Sequence, residues 1–243
     1  FARMRPDGGA VALSVSRDGR DLTLDARPGL GGDGTYRLGA WIRDSMAGIG
    51  TITFYDPSTG AFGALGHGIT DTDPGLMIPL GGGSVMDATV KAVKPGGVGE
   101  PGELLGCFNL TRDVGELYAN SDRGVFGVIE SQDFTQADPV PVARSGDVKT
   151  GPAVIRANVS GDGVEEFSIR IVRVLEGADV QNLLLEVTDP QLLQLTGGIV
   201  QGMSGCPILQ DGKLVGAVTH VMVNDPKKGY GILIENMLAE AGR

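Results

Sequence analysis

The sequence predicts an all-β fold, and three observations support this prediction. Many short apolar runs of strand length follow one another along the chain, separated by clusters of Gly, Pro, Asn and Asp. Forty of the 243 residues are glycine, against an average usage of about 7%, and they follow no collagen-like period. Helical periodicity is confined to residues 190–195 and 235–241. Many short strands with few helices are typical of β-barrels and β-sandwiches.

The predicted strands are runs of four to nine residues with turn signals between them. Residues 167–175 (FSIRIVRVL) alternate apolar and polar side chains, which predicts a strand with one solvated face. The Asp211-Gly212 pair predicts a hairpin turn between the last two runs. The full set is 11–16, 22–25, 50–55, 61–65, 86–93, 103–109, 125–130, 154–159, 167–175, 183–187, 207–210 and 213–220.

Composition excludes several classes of protein. A hydrophobic content of 41% is too high for a disordered chain. Thirty acidic and 20 basic side chains give a net charge of −10, which argues against a nucleic-acid partner. No run approaches the roughly 18 apolar residues of a membrane helix. No cluster of ligand residues suggests a metal, so we expect neither a metal nor a cofactor. The two cysteines, Cys107 and Cys206, could pair or stay reduced.

A Gly/Pro cluster at residues 28–34 (PGLGGDG) predicts a domain boundary. The preceding residues, 1–28, form two predicted strands joined at Asp18-Gly19 and are too few to fold alone. Their pattern resembles the closing end of a PDZ domain, and the alternative is an N-terminal hairpin packed on the main domain. The main domain is expected over residues 35–243. Because the first residue is Phe1, we expect a processed or truncated chain.

The segment Gly202-Met203-Ser204-Gly205 has a serine next to glycine. Glycines permit backbone conformations that turn neighbouring N–H groups toward the hydroxyl. In an acyl-transfer enzyme the N–H groups of Gly202 and Ser204 would form an oxyanion hole. The alternative is an ordinary tight turn that leads into a strand.

A histidine lies between two glycines in Gly66-His67-Gly68. His67 and His220 are the two histidines of the chain, and histidine is the side chain that ordinarily titrates near neutral pH. A general base needs hydrogen-bond reach to its serine but no closeness in sequence. The presence of both motifs favours a Ser204–His67 pair, and the alternative is a purely structural histidine.

Several longer blocks resemble the stage IV sporulation protein B peptidases. The resemblance extends over about residues 35–240, and its blocks occur in the family order. It implies a serine endopeptidase with a chymotrypsin-like double β-barrel, preceded in family members by a membrane anchor and a PDZ domain. The blocks are GIGTITFYD (48–56), GALGH (63–67), GGIVQGMSG (197–205), GAVTHV (216–221), NDP (224–226) and GYG (229–231).

The resemblance assigns roles to three side chains. Ser204 matches the family nucleophile, and His67 matches the general base. Asp189, fifteen residues before the serine, matches the acidic residue that the family requires. A triad acid accepts a hydrogen bond from the second imidazole nitrogen and fixes the tautomer of the base.

The identity of the acid has alternatives. In chymotrypsin-like enzymes the acid usually comes from the chain between the two barrels, and Asp113, 46 residues after His67, suits that location. Asp71 and Asp73 follow the histidine closely but are expected in an exposed turn. Asp189 precedes a proline, so its other interpretation is a helix N-cap.

His220 lies sixteen residues after Ser204, on the strand that lines the pocket for the residue before the scissile bond in this fold class. By analogy His220 would shape substrate specificity, and the alternative is a structural hydrogen bond. Cys206 is expected to be a small packing residue and not a nucleophile.

The resemblance also implies regulated proteolysis during spore formation. The enzyme would act between the two membranes of the developing spore and would be held to a membrane only through a segment that precedes Phe1. Its expected substrate is the extracytoplasmic part of a regulator of an intramembrane metalloprotease, and relatives also cut themselves. The alternatives are an inactive peptide-binding module with a protease-like fold and a structural β-domain.

Overall fold

The computed structural model describes residues 8–17, 19–40, 46–71, 75–130, 137–161, 163–175 and 177–242. Asp18 and Asp73 therefore lie outside the described residues. The chain divides into two compact units, Phe1–Ala47 and Gly48–Arg243. Among the described residues, no helix has the length and apolar character needed to cross a bilayer.

The first unit contains two antiparallel strand pairs. Strand β1 (Val11–Arg17) pairs with β2 (Arg20–Ala26), as the sequence predicts. Two short strands, β3 (Gly29–Leu30) and β4 (Tyr36–Arg37), form the second pair. The relation of residues 1–28 to a PDZ domain stays a prediction.

The second unit begins with an antiparallel five-stranded sheet, which forms a half-barrel. Its spatial order is β5-β6-β9-β8-β7. The strands are β5 (Ile52–Tyr55), β6 (Ala61–Ala64), β7 (Ser84–Lys94), β8 (Glu103–Ser121) and β9 (Gly124–Ile129).

Six further strands close into a barrel in the order β10-β11-β12-β15-β14-β13. A half-barrel followed by a closed barrel is the double-barrel architecture of chymotrypsin-like peptidases, so the predicted all-β fold is confirmed. The barrel strands are β10 (Gly151–Ala157), β11 (Glu165–Val174), β12 (Leu183–Val187), β13 (Pro207–Gln210), β14 (Lys213–Val221) and β15 (Lys228–Leu233). The described helical segments are a 3-10 turn (Ser145–Asp147), α1 (Pro190–Thr196) and α2 (Ile234–Ala241).

Alternation along the strands separates the barrel core from solvent. On β11, the side chains of Phe167, Ile169 and Ile171 are buried, whereas those of Ser168 and Arg170 point outward. Successive side chains on a strand point to opposite faces, so one strand supplies both layers. The predicted alternation in this segment is confirmed.

An apolar cluster joins the two halves of the second unit. Phe126 of the half-barrel packs with Ala217 and Ile232 of the barrel, and Met237 of α2 completes the cluster. All four residues are essentially inaccessible to solvent. Burial of apolar surface between the halves stabilises their relative arrangement.

Hydrogen bonds form a second link between the halves, which we call the seam. The Thr51 N–H donates to the Ser204 carbonyl at 2.9 Å, and within the half-barrel the Leu65 N–H donates to the Thr51 carbonyl at 3.2 Å. The buried Thr53 hydroxyl donates to the Gly205 carbonyl at 2.8 Å. The seam therefore places the chain that follows β6 beside the chain that contains Ser204.

Replacing Thr53 with valine tests the seam, because it removes the hydroxyl and keeps the side-chain shape. The buried Gly205 carbonyl would lose its donor, and an unsatisfied buried polar group costs about 1–3 kcal/mol. We expect urea unfolding of Thr53→Val to show that loss. Thr89→Val, on an exposed position of β7, is the matched control and should change stability by less than about 0.5 kcal/mol. Equal effects of the two substitutions would contradict the proposed importance of the seam.

Candidate active site

A tight turn directs His67 away from the sheet. Strand β6 ends at Ala64, and the next two residues have positive φ, 66° at Leu65 and 69° at Gly66. A Cβ at Gly66 would lie 2.9 Å from the side chains of Ile232 and Thr219, so glycine is required on both conformational and steric grounds. The strained Leu65 is held by its seam hydrogen bond. This turn brings His67 against the closed barrel.

Ser204 lies in the loop between α1 and β13, where the chain folds closely against β5. Gly205 has φ 89°, and a Cβ there would overlap the carbonyl oxygen of Thr51. Glycine is therefore needed next to the serine, because any side chain at this position would push the loop away from the seam.

The structure brings Ser204 and His67 into hydrogen-bond contact. The Ser204 Oγ lies 2.9 Å from His67 Nε2, and His67 Nδ1 lies 2.9 Å from the Gly68 carbonyl oxygen. Because a carbonyl can only accept, Nδ1 carries the proton of the neutral ring. The lone pair of Nε2 is then available to the Ser204 hydroxyl, which is the tautomer that a general base requires.

The Ser204 hydroxyl has a second acceptor. The Thr219 carbonyl oxygen lies 3.0 Å from Ser204 Oγ. When His67 is protonated, both ring nitrogens donate, and the hydroxyl proton can then go only to Thr219. The nucleophile is thus deprotonated by His67 only while the imidazole is neutral.

Two backbone amides beside the nucleophile are available to a ligand. In the described part of the chain, the N–H groups of Gly202 and Ser204 have no hydrogen-bond acceptor. The amides of the residues that follow each of them do have acceptors: the Met203 N–H donates to the Val200 carbonyl, and the Gly205 N–H donates to the Val218 carbonyl. Free donors next to a nucleophile are suited to an oxyanion, although the oxyanion role of these two amides stays a prediction.

The carboxylate of Asp189 lies elsewhere. Its Oδ1 accepts the N–H groups of Gln191 at 2.9 Å and Leu192 at 3.1 Å, and its Oδ2 accepts the Ser168 N–H at 3.1 Å. Partial burial acts to raise the pKa of Asp189, but these three donors outweigh it and hold the pKa below its ordinary value. Asp189 is the N-cap of α1, and both ring nitrogens of His67 have other partners.

Of the other candidate acids, Asp113 and Asp71 have partners other than His67, and Asp73 lies outside the described residues. Asp113 is exposed on β8, and its carboxylate accepts a hydrogen bond from the Ser84 hydroxyl at 3.5 Å. The Asp71 backbone forms the turn that the sequence predicts, with its N–H donating to the Leu76 carbonyl.

The structure places His220 beside the proposed base. The ring centroids of His67 and His220 are 4.8 Å apart, and the rings are tilted by 40°. His220 is an exposed residue of β14, but partial desolvation of its ring lowers its pKa, and the positive charge of a protonated His67 lowers the pKa further. The lowered pKa favours the neutral form of the His220 ring.

Sequence reasoning predicted the backbone amides of Gly202 and Ser204 but missed the backbone carbonyls of the site. The carbonyls of Gly68 and Thr219 determine where the protons go, and the side-chain pattern of a sequence contains no signal for them. The sequence also gave no sign that Thr51 and Thr53 would hold the serine loop.

A serine hydroxyl bonded to an imidazole in the basic tautomer, between the two halves of a double β-barrel, defines a serine peptidase. A comparison with protein families gives the same answer. The family described as SpoIVB peptidase S55 matches residues 34–238, most of the chain. The chain belongs to this family and is a serine peptidase.

Solved structures similar to the chain include three of Rv3671c from M. tuberculosis. The inactive form of a serine-to-alanine mutant of the H37Rv protein shares 16% identity at a TM-score of 0.39, covering 56% of this chain and 68% of that one. The inactive form of the Rv3671c protease shares 16% sequence identity at a TM-score of 0.37, and the match covers 55% of this chain and 70% of that one. The active form shares 14% sequence identity at a TM-score of 0.35, and the match covers 54% of this chain and 64% of that one. No curated protein matched the chain.

The two cysteines are free in the structure, which answers the question that the sequence left open. Cys107 is exposed on β8, whereas Cys206 is buried two residues after the nucleophile. Burial raises the pKa of the Cys206 thiol to about 11, in spite of its contact with the Thr51 hydroxyl. A buried, protonated thiol is a poor nucleophile.

Thiol titration at pH 8 tests this difference. We expect one fast-reacting thiol in the native protein and two after unfolding in urea. Cys107→Ser should remove the fast reaction, whereas Cys206→Ser should leave it unchanged. Two fast thiols in the native protein would show that Cys206 is accessible.

Proposed function

We propose that the chain is an endopeptidase in which Ser204 is the nucleophile and His67 is the general base. The observation that supports this proposal best is the 2.9 Å contact between Ser204 Oγ and His67 Nε2, with Nδ1 held by the Gly68 carbonyl. Ser204 attacks the peptide carbonyl and transfers its proton to Nε2, while the amides of Gly202 and Ser204 hold the oxyanion. His67 then protonates the leaving amine, and a water activated by the same imidazole releases the acyl group.

His220 is proposed as a specificity residue. His220 is on β14, and its ring lies next to the ring of His67. Its lowered pKa favours the neutral imidazole, which offers one hydrogen-bond donor and one acceptor. Such a group suits a polar side chain in the substrate residue before the scissile bond.

The biological role that we propose is regulated proteolysis in sporulation, supported by membership of the SpoIVB family. The substrate would be the extracytoplasmic part of a regulator of an intramembrane metalloprotease, and the enzyme would also cut itself. It would act outside the cytoplasm, between the membranes of the developing spore, with a PDZ-like segment before the peptidase.

Reaction with a fluorophosphonate probe tests the nucleophile and the base without knowledge of the substrate. Intact-mass analysis should show one adduct on the wild type, which peptide mapping places on Ser204. Ser204→Ala should show none, and His67→Ala should react at least about 10³-fold more slowly, because the hydroxyl loses its base.

Ser84→Ala, at an exposed serine of β7, is the matched control and should react like the wild type. An adduct that persists in a folded Ser204→Ala protein would overturn the assignment of the nucleophile. Peptide binding by a folded wild type that forms no adduct would identify a binding module instead of an enzyme.

Cleavage of a peptide library, read by mass spectrometry, tests His220. We expect His220→Ala to change the preferred residue immediately before the cut, because the pocket loses its polar ring. Val223→Ala, at an exposed position shortly after β14, should leave the profile unchanged. An identical profile for His220→Ala would exclude His220 from the pocket.

A further inference from the structure

The carboxylate of Asp189 is engaged entirely by backbone amides. Three N–H donors, from Ser168, Gln191 and Leu192, occupy its two oxygens. The Asp189 N–H also donates to the Ser168 carbonyl at 3.0 Å, so one residue fixes the end of β12 to β11 and begins α1. A short polar side chain at an N-cap does this work through its oxygen and needs no charge for it.

Helix α1 leads directly to the nucleophile loop, and each step between them is held by hydrogen bonds. The Thr196 carbonyl at the end of α1 accepts the Gly96 N–H at 2.8 Å. The Ile199 N–H then donates to the Pro226 carbonyl, and the Gln201 N–H donates to the Gly102 carbonyl, both at 2.8 Å. Gly202, the next residue, supplies the first proposed oxyanion amide. A shift at the start of α1 is therefore transmitted along a held chain to that amide.

His67 already has a partner for the nitrogen that a triad acid would bind. Its Nδ1 lies 2.9 Å from the Gly68 carbonyl oxygen, which fixes the tautomer without a carboxylate. During catalysis the proton of Ser204 moves to Nε2, and the Nδ1 proton stays on Nδ1 and continues to donate to Gly68. Proton balance is complete without Asp189.

We propose that Asp189 is a positioning residue, which sets the oxyanion loop through the N-cap of α1, and that the Gly68 carbonyl orients His67. The proposal rests on the proposed function, because it assumes that Ser204 and His67 are the reacting pair. The family resemblance marks this carboxylate as required. The proposal explains that requirement by a role at a distance from the imidazole.

Three substitutions separate a cap from a triad acid. Asp189→Ser and Asp189→Asn remove the charge but keep an oxygen for the amides of Gln191 and Leu192, whereas Asp189→Ala keeps neither. We expect fluorophosphonate labelling of the Ser and Asn variants within about tenfold of the wild type, and of the Ala variant at least tenfold below the Ser variant. Loss of a triad acid would instead slow all three by about 10⁴-fold.

The pH dependence of labelling is a second readout, which a cap does not move. The midpoint of the acid limb should be the same in wild type and Asp189→Asn, because the carboxylate does not face the imidazole. A carboxylate in contact with His67 would shift that midpoint by about 1–3 pH units when removed. Among the described residues, the titratable ring in contact with His67 is that of His220, and all these variants retain His220.

Asp113→Asn and Asp122→Asn are the matched controls. Asp122 belongs to the turn between β8 and β9, and the adjacent Ser121 carbonyl would lie 2.6 Å from a Cβ at Gly68. Both variants should label like the wild type. A loss of about 10⁴-fold in either would identify a carboxylate that orients His67 and would overturn the role of Gly68.

A spectroscopic measurement keeps this proposal separate from the proposed function. The ¹⁵N chemical shifts of the two histidines, assigned with His220→Asn, report the tautomer of His67 whether or not the protein reacts. The Nδ1–H tautomer in both wild type and Asp189→Asn would support the proposal even if Ser204 formed no adduct. A change of tautomer in Asp189→Asn would overturn it even if Ser204 reacted.

Discussion

The seam between strand β5 and the serine loop is the constraint on which the site depends. Thr51 and Thr53 bind consecutive carbonyls, those of Ser204 and Gly205, and the chain after β6 is held to the same strand. Neither half of the double barrel contains both a nucleophile and a base. The seam fixes the distance between them, and Gly205 must lack a side chain for the two halves to approach so closely.

The electrostatics of the site come mainly from the backbone. The Gly68 carbonyl selects the tautomer of His67, and the Thr219 carbonyl offers the serine hydroxyl a second acceptor. The amides of Gly202 and Ser204 have no acceptor among the residues that the structure describes. Peptide dipoles fixed by a rigid sheet need no reorganisation when charge develops. The neighbouring His220 adds a ring whose lowered pKa favours its neutral form.

Much of the fold could be predicted because glycine punctuation and strand alternation are local signals, as the buried and exposed faces of β11 show. Strand β15 was missed because Gly229 and Gly231 interrupt its apolar pattern, and β8 continues to Ser121, beyond the predicted end at residue 109. The pairing of Ser204 with His67 was predicted from flanking glycines and a family resemblance. The partners of Asp189 were not, since Ser168 lies 21 residues away and acts through its amide.

Base and nucleophile are separated by 137 residues of sequence, and this separation has a consequence for biosynthesis. A ribosome that has just completed Ser204 has made both reactive side chains, yet β13, β14 and β15, which complete the closed barrel, are still untranslated. The carbonyl of Thr219 and the ring of His220 are also missing at that moment. The folded site is thus complete only after β15 (Lys228–Leu233) has been made, and the order of synthesis keeps base and nucleophile out of their folded arrangement until then.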